Sequence, residues 1–110
     1  MSGDKYLADT NTFICLLDKH PALFQLLDSE WSYSFITELE ELGKFRISTD
    51  ESKAVKLLLQ SCSKVAYSEE INRQTILLRQ QYKIKLPDAI IAATALIRNI
   101  PLLTFDKGFS

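Results

Sequence analysis

Short runs of branched and aromatic residues alternate with helical stretches along the whole chain, and several of the junctions carry a carboxylate. That alternation restricts the fold more than any single residue does. Lys5 to Ala8 reads as a strand ending at Asp9, Asn11 to Leu17 as the opening of a helix, and His20 to Leu27 as a second short helix started by Pro21. Trp31 to Ile36 is rich in aromatic and branched residues, a strand signal, and Thr37 with Glu40 forms a Thr-x-x-Glu capping box for the next helix. Thr49 or Asp50 caps a helix over Glu51 to Ser61, with Ala54, Leu57, Leu58 and Ser61 sharing a face. Lys64 to Tyr67 is a brief strand, and Ser68 opens a long helix to about Tyr82 whose apolar stripe runs Ile71, Thr75, Leu78, Tyr82. Leu86 to Asn99 is helical with Pro87 in its first turn, Pro101 stops it, and Pro101 to Phe105 is a last strand.

Strands that alternate with helices predict an α/β fold: a central, mostly parallel twisted sheet covered on both faces, a three-layer α/β/α sandwich. The 110 residues suit a single domain spanning 1–110. In such folds ligands collect outside the carboxyl ends of the strands. Asp9 and Asp106 follow predicted strands, and Glu40 and Asp88 fall in first turns of predicted helices, so all four are expected at one end of the sheet.

Other catalytic equipment is scarce. The single histidine, His20, precedes Pro21 in a turn-like stretch, and the two cysteines are far apart, which excludes a structural zinc site and a Cys-x-x-Cys pair. Cys15 and Cys62 read as reduced, small buried side chains, which fits a cytoplasmic protein. The polar start is not followed by a signal-peptide core, and apolar stretches such as Ala89 to Ile97 are far short of the ~20 residues of a membrane span. A net charge of -1 excludes a large uniform positive field. Lys44 and Arg46 follow Glu40, while Lys53, Lys56, Arg73, Arg79, Lys83, Lys85 and Arg98 are spread over later helices; most are read as a solvated face, with a few near the carboxylates touching phosphate.

Each acid alone has an ordinary explanation. Asp9 can cap a helix, Glu40 can close the capping box, Asp88 lies beside a first-turn proline, and Asp106 sits in an Asp-Lys-Gly turn. Those roles do not explain their recurrence at equivalent ends of successive units. Two bare carboxylates about 4 Å apart repel by roughly 4 kcal/mol at an effective dielectric near 20, so a cluster demands a cation or a raised pKa. Oxygen ligands without histidine favour Mg²⁺ or Mn²⁺, which polarises phosphate and acidifies water, and the implied reaction is phosphodiester hydrolysis. Asp88, Ala92 and Ala95 share a face whose small side chains would let that helix lie close to the sheet.

LADTNTFI, the Thr-x-x-Glu of ITELEELG, LPDAIIAATA and LLTFDKGF, in this order and across nearly the whole chain, resemble the signature of PIN domains, especially VapC-like toxins of bacterial and archaeal toxin-antitoxin pairs. The resemblance implies a parallel α/β/α sandwich, Mg²⁺- or Mn²⁺-dependent endoribonuclease activity on RNA, a homodimer, and inhibition by a small antitoxin protein. It makes Asp9, Glu40, Asp88 and Asp106 the acidic site, with Asn11 and Thr104 at polar positions that help order the metal-bound water. Glu40 is preferred to Glu38 and Glu41 because the family's acid falls three residues after the position of Thr37. In the expected mechanism Asp9, Asp88 and Asp106 hold the ion and Glu40 orients the attacking water or a second ion.

Two departures stand out. Gly108 replaces a further acid of many family members, and the sequence stops at Ser110, where the family commonly continues into a final strand whose absence would leave a sheet edge open to pairing. They motivate an alternative, a catalytically inactive PIN-like module that binds RNA or an antitoxin peptide. A phosphatase using Asp9 as nucleophile is disfavoured, because Asn11 stands where that chemistry needs an acid. Trp31, Tyr33 and Phe105 can stack on bases but read as core.

Overall fold

The computed structural model describes residues 5–18 and 29–104. In chain order the elements are β1 (Lys5–Ala8), α1 (Thr10–Leu17), β2 (Glu30–Ser34), α2 (Phe35–Leu42), α3 (Thr49–Gln60), β3 (Ser63–Val65), α4 (Glu69–Gln81), α5 (Leu86–Arg98) and β4 (Leu102–Leu103). The helix expected over His20 to Leu27 lies outside the described residues. The four strands form one sheet in the order β3-β2-β1-β4, every pair parallel. The chain thus builds outward from β1 through β2 to β3, then returns to place β4 on the other side of β1. That reversal makes the carboxyl end of β1 the switch point of the sheet, where crevices form in open α/β folds.

The pleat distributes the core between the two faces. Tyr6 pairs in register with Trp31 and Ala8 with Tyr33, so these four share a face. On that face Ala8, Trp31 and Tyr33 pack with Phe13 and Leu16 of α1 and Val55 and Leu59 of α3. Val65 pairs with Ser34 and so points the other way, into a second cluster with Ile71 of α4 and Ala93 of α5. This is the predicted parallel α/β sandwich. Trp31 and Tyr33 are buried, as expected of core residues.

Local chemistry sets the helix starts, and it departs from the expectation at α2. Ser34, the last residue of β2, caps that helix by accepting the Ile36 N–H. The helix therefore begins while the aromatic run is still in progress, and Thr37 lies inside its first turn instead of capping it. The Thr37–Glu40 pair is not a capping box; these residues project towards α1. Ser48, one residue before the expected Thr49 or Asp50, caps α3, and Ser68 caps α4 as expected.

The inward face of α3 also differs. Val55 and Leu59 are buried, with Leu58 and Cys62 packed beside them, while Ala54, Leu57 and Ser61 are exposed. Two apolar stripes one residue apart compete in this helix, and only the stripe through Val55 meets the aromatic face of the sheet. In α4 the stripe holds at Ile71, Thr75 and Leu78, but Tyr82 is largely exposed. On α5 the fully buried small residues are Ala89 and Ala93; Ala92 and Ala95 of the expected close-packing face are half-buried. The helix is covered on two sides, by the sheet layer and by α4, and the α4 contact decides which alanines are innermost.

The rotation of α3 can be checked by urea unfolding. Leu59→Ala is expected to lower stability by about 2–5 kcal/mol, whereas Leu57→Ala should stay within about 0.5 kcal/mol of the parent. The reverse order would show that the face through Leu57 is the buried one.

Candidate active site

The turn from β1 into α1 buries a carboxylate. Asp9 is the N-cap of α1 and is only 2% exposed. Its Oδ1 accepts the Thr12 N–H at 2.7 Å, and its Oδ2 accepts the Thr104 hydroxyl. The Thr12 hydroxyl in turn donates to the Leu103 carbonyl at 2.8 Å. Helix α1 and the end of β4 are therefore tied together around Asp9. Its capping role is the one the bare sequence suggested, but capping uses one oxygen and leaves the other for Thr104.

Glu40 reaches the same place from α2. The Thr10 hydroxyl donates to Glu40 Oε1 at 2.7 Å and lies 3.3 Å from the Thr37 hydroxyl. The three neighbouring glutamates resolve differently. Glu38 pairs with Lys64 at 2.7 Å, and Glu41 is buried and pairs with Lys44 at 3.0 Å. Glu40 alone of the three lines the cleft described next.

That cleft, about 210 Å³, is lined by Asp9, Thr10, Asn11, Glu40, Lys85, Pro87 and Asp88. It opens at the switch point, and three of the four predicted acids border it. Asp88 is half-buried in the first turn of α5. Asp106 lies outside the described residues. Among the described residues no three His, Cys, Asp or Glu side chains converge closely enough to hold a metal ion. Among the described residues lining the cleft the groups able to ligate a metal are of the hard oxygen type, with no sulfur or imidazole, and one of the carboxylates is deeply buried, so the residue types suit a hard divalent cation.

Three residues here escaped the sequence reading. Thr10 and Thr12 are hidden within Asp-Thr-Asn-Thr, where a threonine after a capping aspartate is unremarkable by itself. Lys85 was one of many scattered bases. Lys44, which the sequence placed close to Glu40, is instead occupied by Glu41 and Glu51, and the hydrogen bonds it donates to Glu51 and then to Glu41 raise its pKa above the ordinary 10.5.

A larger cavity of about 490 Å³ lies at the amino ends of β2 and β3, lined by Leu16, Trp31, Leu58, Cys62 and neighbouring serines and Glu30. It lacks convergent acids. Burial raises the pKa of Cys62 and of Cys15, and both are free thiols.

Fold and cleft together define a parallel α/β domain with acidic side chains gathered at the carboxyl end of its first strand. The PIN domain family model matches residues 6–110, and the chain belongs to that family. Its fold is similar to that of a toxin-antitoxin complex chain from Klebsiella pneumoniae, with 32% identity and a TM-score of 0.80 over 96% of this chain and 90% of that one. VapBC-1 from nontypeable Haemophilus influenzae matches at 26% identity and a TM-score of 0.74, over 96% of this chain and 90% of that one. VapBC2 from Rickettsia felis, solved bound to a DNA fragment from their promoter, shares the fold at 21% identity and a TM-score of 0.79, with the same coverage of 96% and 90%. These neighbours agree with the VapC-like resemblance in the sequence. No curated protein matches the chain.

The division of labour among the glutamates has a stability signature. Lys44→Met leaves the buried Glu41 carboxylate without its cation and is expected to cost about 1–2 kcal/mol, reduced by the partial exposure of Lys44. Because the folded-state pKa of Lys44 is raised, this contribution is fully present below pH 10.5 and is lost as pH rises through the folded value. Thermal unfolding of parent and variant should therefore differ by a constant amount from pH 7 to about 10 and converge above that; a gap that persists at higher pH would refute the pairing.

Proposed function

We propose that this protein is a Mg²⁺- or Mn²⁺-dependent endoribonuclease, the toxin of a toxin-antitoxin pair. The reading is supported chiefly by the cleft at the switch point, where Asp9, Glu40 and Asp88 line one wall-to-wall space. Membership of the PIN family and the likeness to toxin-antitoxin chains support it from outside the molecule.

In this reading Asp9, Asp88 and Asp106 hold the ion. When bound, a divalent ion supplies neutralisation of the acids and Lewis-acid activation of phosphate and water. Asp9 enters the cluster already fixed, since Thr12 and Thr104 restrain its two oxygens. Glu40, oriented by Thr10, takes the proton of the attacking water, and Asn11 and Thr104 order that water by hydrogen bonds. The protein works in the cytoplasm as a homodimer and is held inactive by a cognate antitoxin protein. None of the described helices is long and apolar enough to cross a membrane.

The test is cleavage of a mixed RNA pool by purified, antitoxin-free protein with Mg²⁺, Mn²⁺ or EDTA. Asp9→Asn keeps the helix cap, because asparagine caps a helix as well as aspartate does; it replaces one of the two oxygens that accept from Thr12 and Thr104, so folding of the variant is confirmed by circular dichroism. Cleavage should need the metal and fall at least about a hundredfold in Asp9→Asn, Asp88→Asn and Glu40→Gln. Intact RNA in every lane from folded protein would replace this reading with a non-cleaving module that binds RNA or an antitoxin peptide.

A further inference from the structure

Lys85 occupies a position where lysine is a poor structural choice. It is the N-cap residue of α5, yet its side chain makes no capping hydrogen bond. Its charge also lies at the positive end of the helix dipole. Serine, threonine or aspartate would serve the helix better, and the chain uses Asp9, Ser34, Ser48 and Ser68 in that way at the other four described helices. Local rules broken at one place and kept elsewhere mark positions held for another purpose.

The surroundings of Lys85 supply that purpose. Its exposed side chain lines the cleft with Asp9, Asn11, Glu40 and Asp88, and among the described residues no other lysine or arginine lines it. Three lysines elsewhere are engaged, Lys5 with Glu30, Lys44 with Glu41 and Glu51, and Lys64 with Glu38, while Lys53, Lys56 and Lys83 are exposed and lie outside the cleft lining. Lys85 takes part in none of the ion pairs between described residues. An acidic cleft repels a polyanion, so a strand must be drawn in and registered by something other than the carboxylates. A flexible ammonium is a point charge that meets phosphate oxygens without demanding a fixed approach.

We propose that the Lys85 ammonium binds a non-bridging phosphate oxygen of the RNA strand beside the scissile bond, making it a substrate-binding residue of the cleft. This rests on the ribonuclease reading above. The contact is made to the ground state and the transition state alike, so its loss falls on binding more than on turnover.

Lys85→Gln, Lys85→Arg and Lys83→Gln are compared with the parent, Lys83 being exposed, two residues earlier and outside the cleft lining. Binding of a labelled single-stranded RNA oligonucleotide is read by anisotropy with Ca²⁺ replacing Mg²⁺, over a range of salt, and cleavage in Mg²⁺ gives kcat and KM. Lys85→Gln should raise Kd and KM about fivefold to tenfold, change kcat less than about twofold, and lower the salt slope by about 0.7. Lys85→Arg, which keeps the charge, and Lys83→Gln should stay near the parent.

Equal losses in Lys85→Gln and Lys83→Gln would overturn the assignment in favour of a diffuse field. So would an unchanged KM accompanied by a lower Mn²⁺ requirement, which would make Lys85 a counter-ion of the carboxylates. If the parent cuts RNA and Lys85→Gln behaves identically, only this assignment fails. If the parent neither binds nor cuts RNA, the ribonuclease reading fails and the assignment falls with it.

Discussion

The Asp9 carboxylate is the joint on which this small domain turns. Its two oxygens take donors from α1 and from the residue just after β4, the second of which lies 95 positions along the chain from Asp9. Thr12 closes the same loop by reaching the last carbonyl of β4. Among the described residues β4 has only two residues paired with β1, so these side-chain bonds add to the few ladder hydrogen bonds that hold it there. The arrangement also holds a carboxylate rigidly where the sheet reverses direction. Structural restraint and chemical usefulness thus meet in one residue, and neither reading of Asp9 displaces the other.

The order of the elements was legible because alternation of strand and helix survives errors at individual boundaries. Boundaries and faces were less legible, for definite reasons. At α2 the run Trp31 to Ile36 suggested a strand that would carry the cap to Thr37, whereas Ser34, inside that run, is the cap the helix uses. Packing chose Ser34, since a helix that starts immediately after β2 can bring Thr37 and Glu40 towards Thr10. At α3 two apolar stripes were available, and nothing in the local pattern says which will meet Trp31 and Tyr33 across the sheet. Tertiary contact settles what periodicity leaves open.

The choice among Glu38, Glu40 and Glu41 shows the same limit at the level of charge. The three lie within one turn of α2 yet point in three directions, to Lys64, to Thr10 and to Lys44. Sequence spacing favoured Glu40 only through the resemblance to PIN domains. The physical distinction is that two of these glutamates meet lysines, while Glu40 meets a neutral hydroxyl at a cleft bordered by other acids. A carboxylate oriented by a hydroxyl keeps its full negative charge available to whatever enters the cleft. One locked against an ammonium does not.

The same reasoning explains why a nearly neutral chain can be proposed to act on RNA. Net charge describes the long-range field, but a nuclease site needs local contrast: acids concentrated enough to hold a divalent ion and a cation close enough to hold phosphate. Salt bridges at Lys5, Lys44 and Lys64 pair charges among residues outside the cleft lining, so the contrast between the acids and the lysine that line it is left as it stands. Such a design gives weak attraction at a distance and ordered contact only on arrival. A backbone phosphate arriving at the cleft would meet the exposed Lys85 ammonium, whereas the Asp9 carboxylate lies buried in the cleft wall.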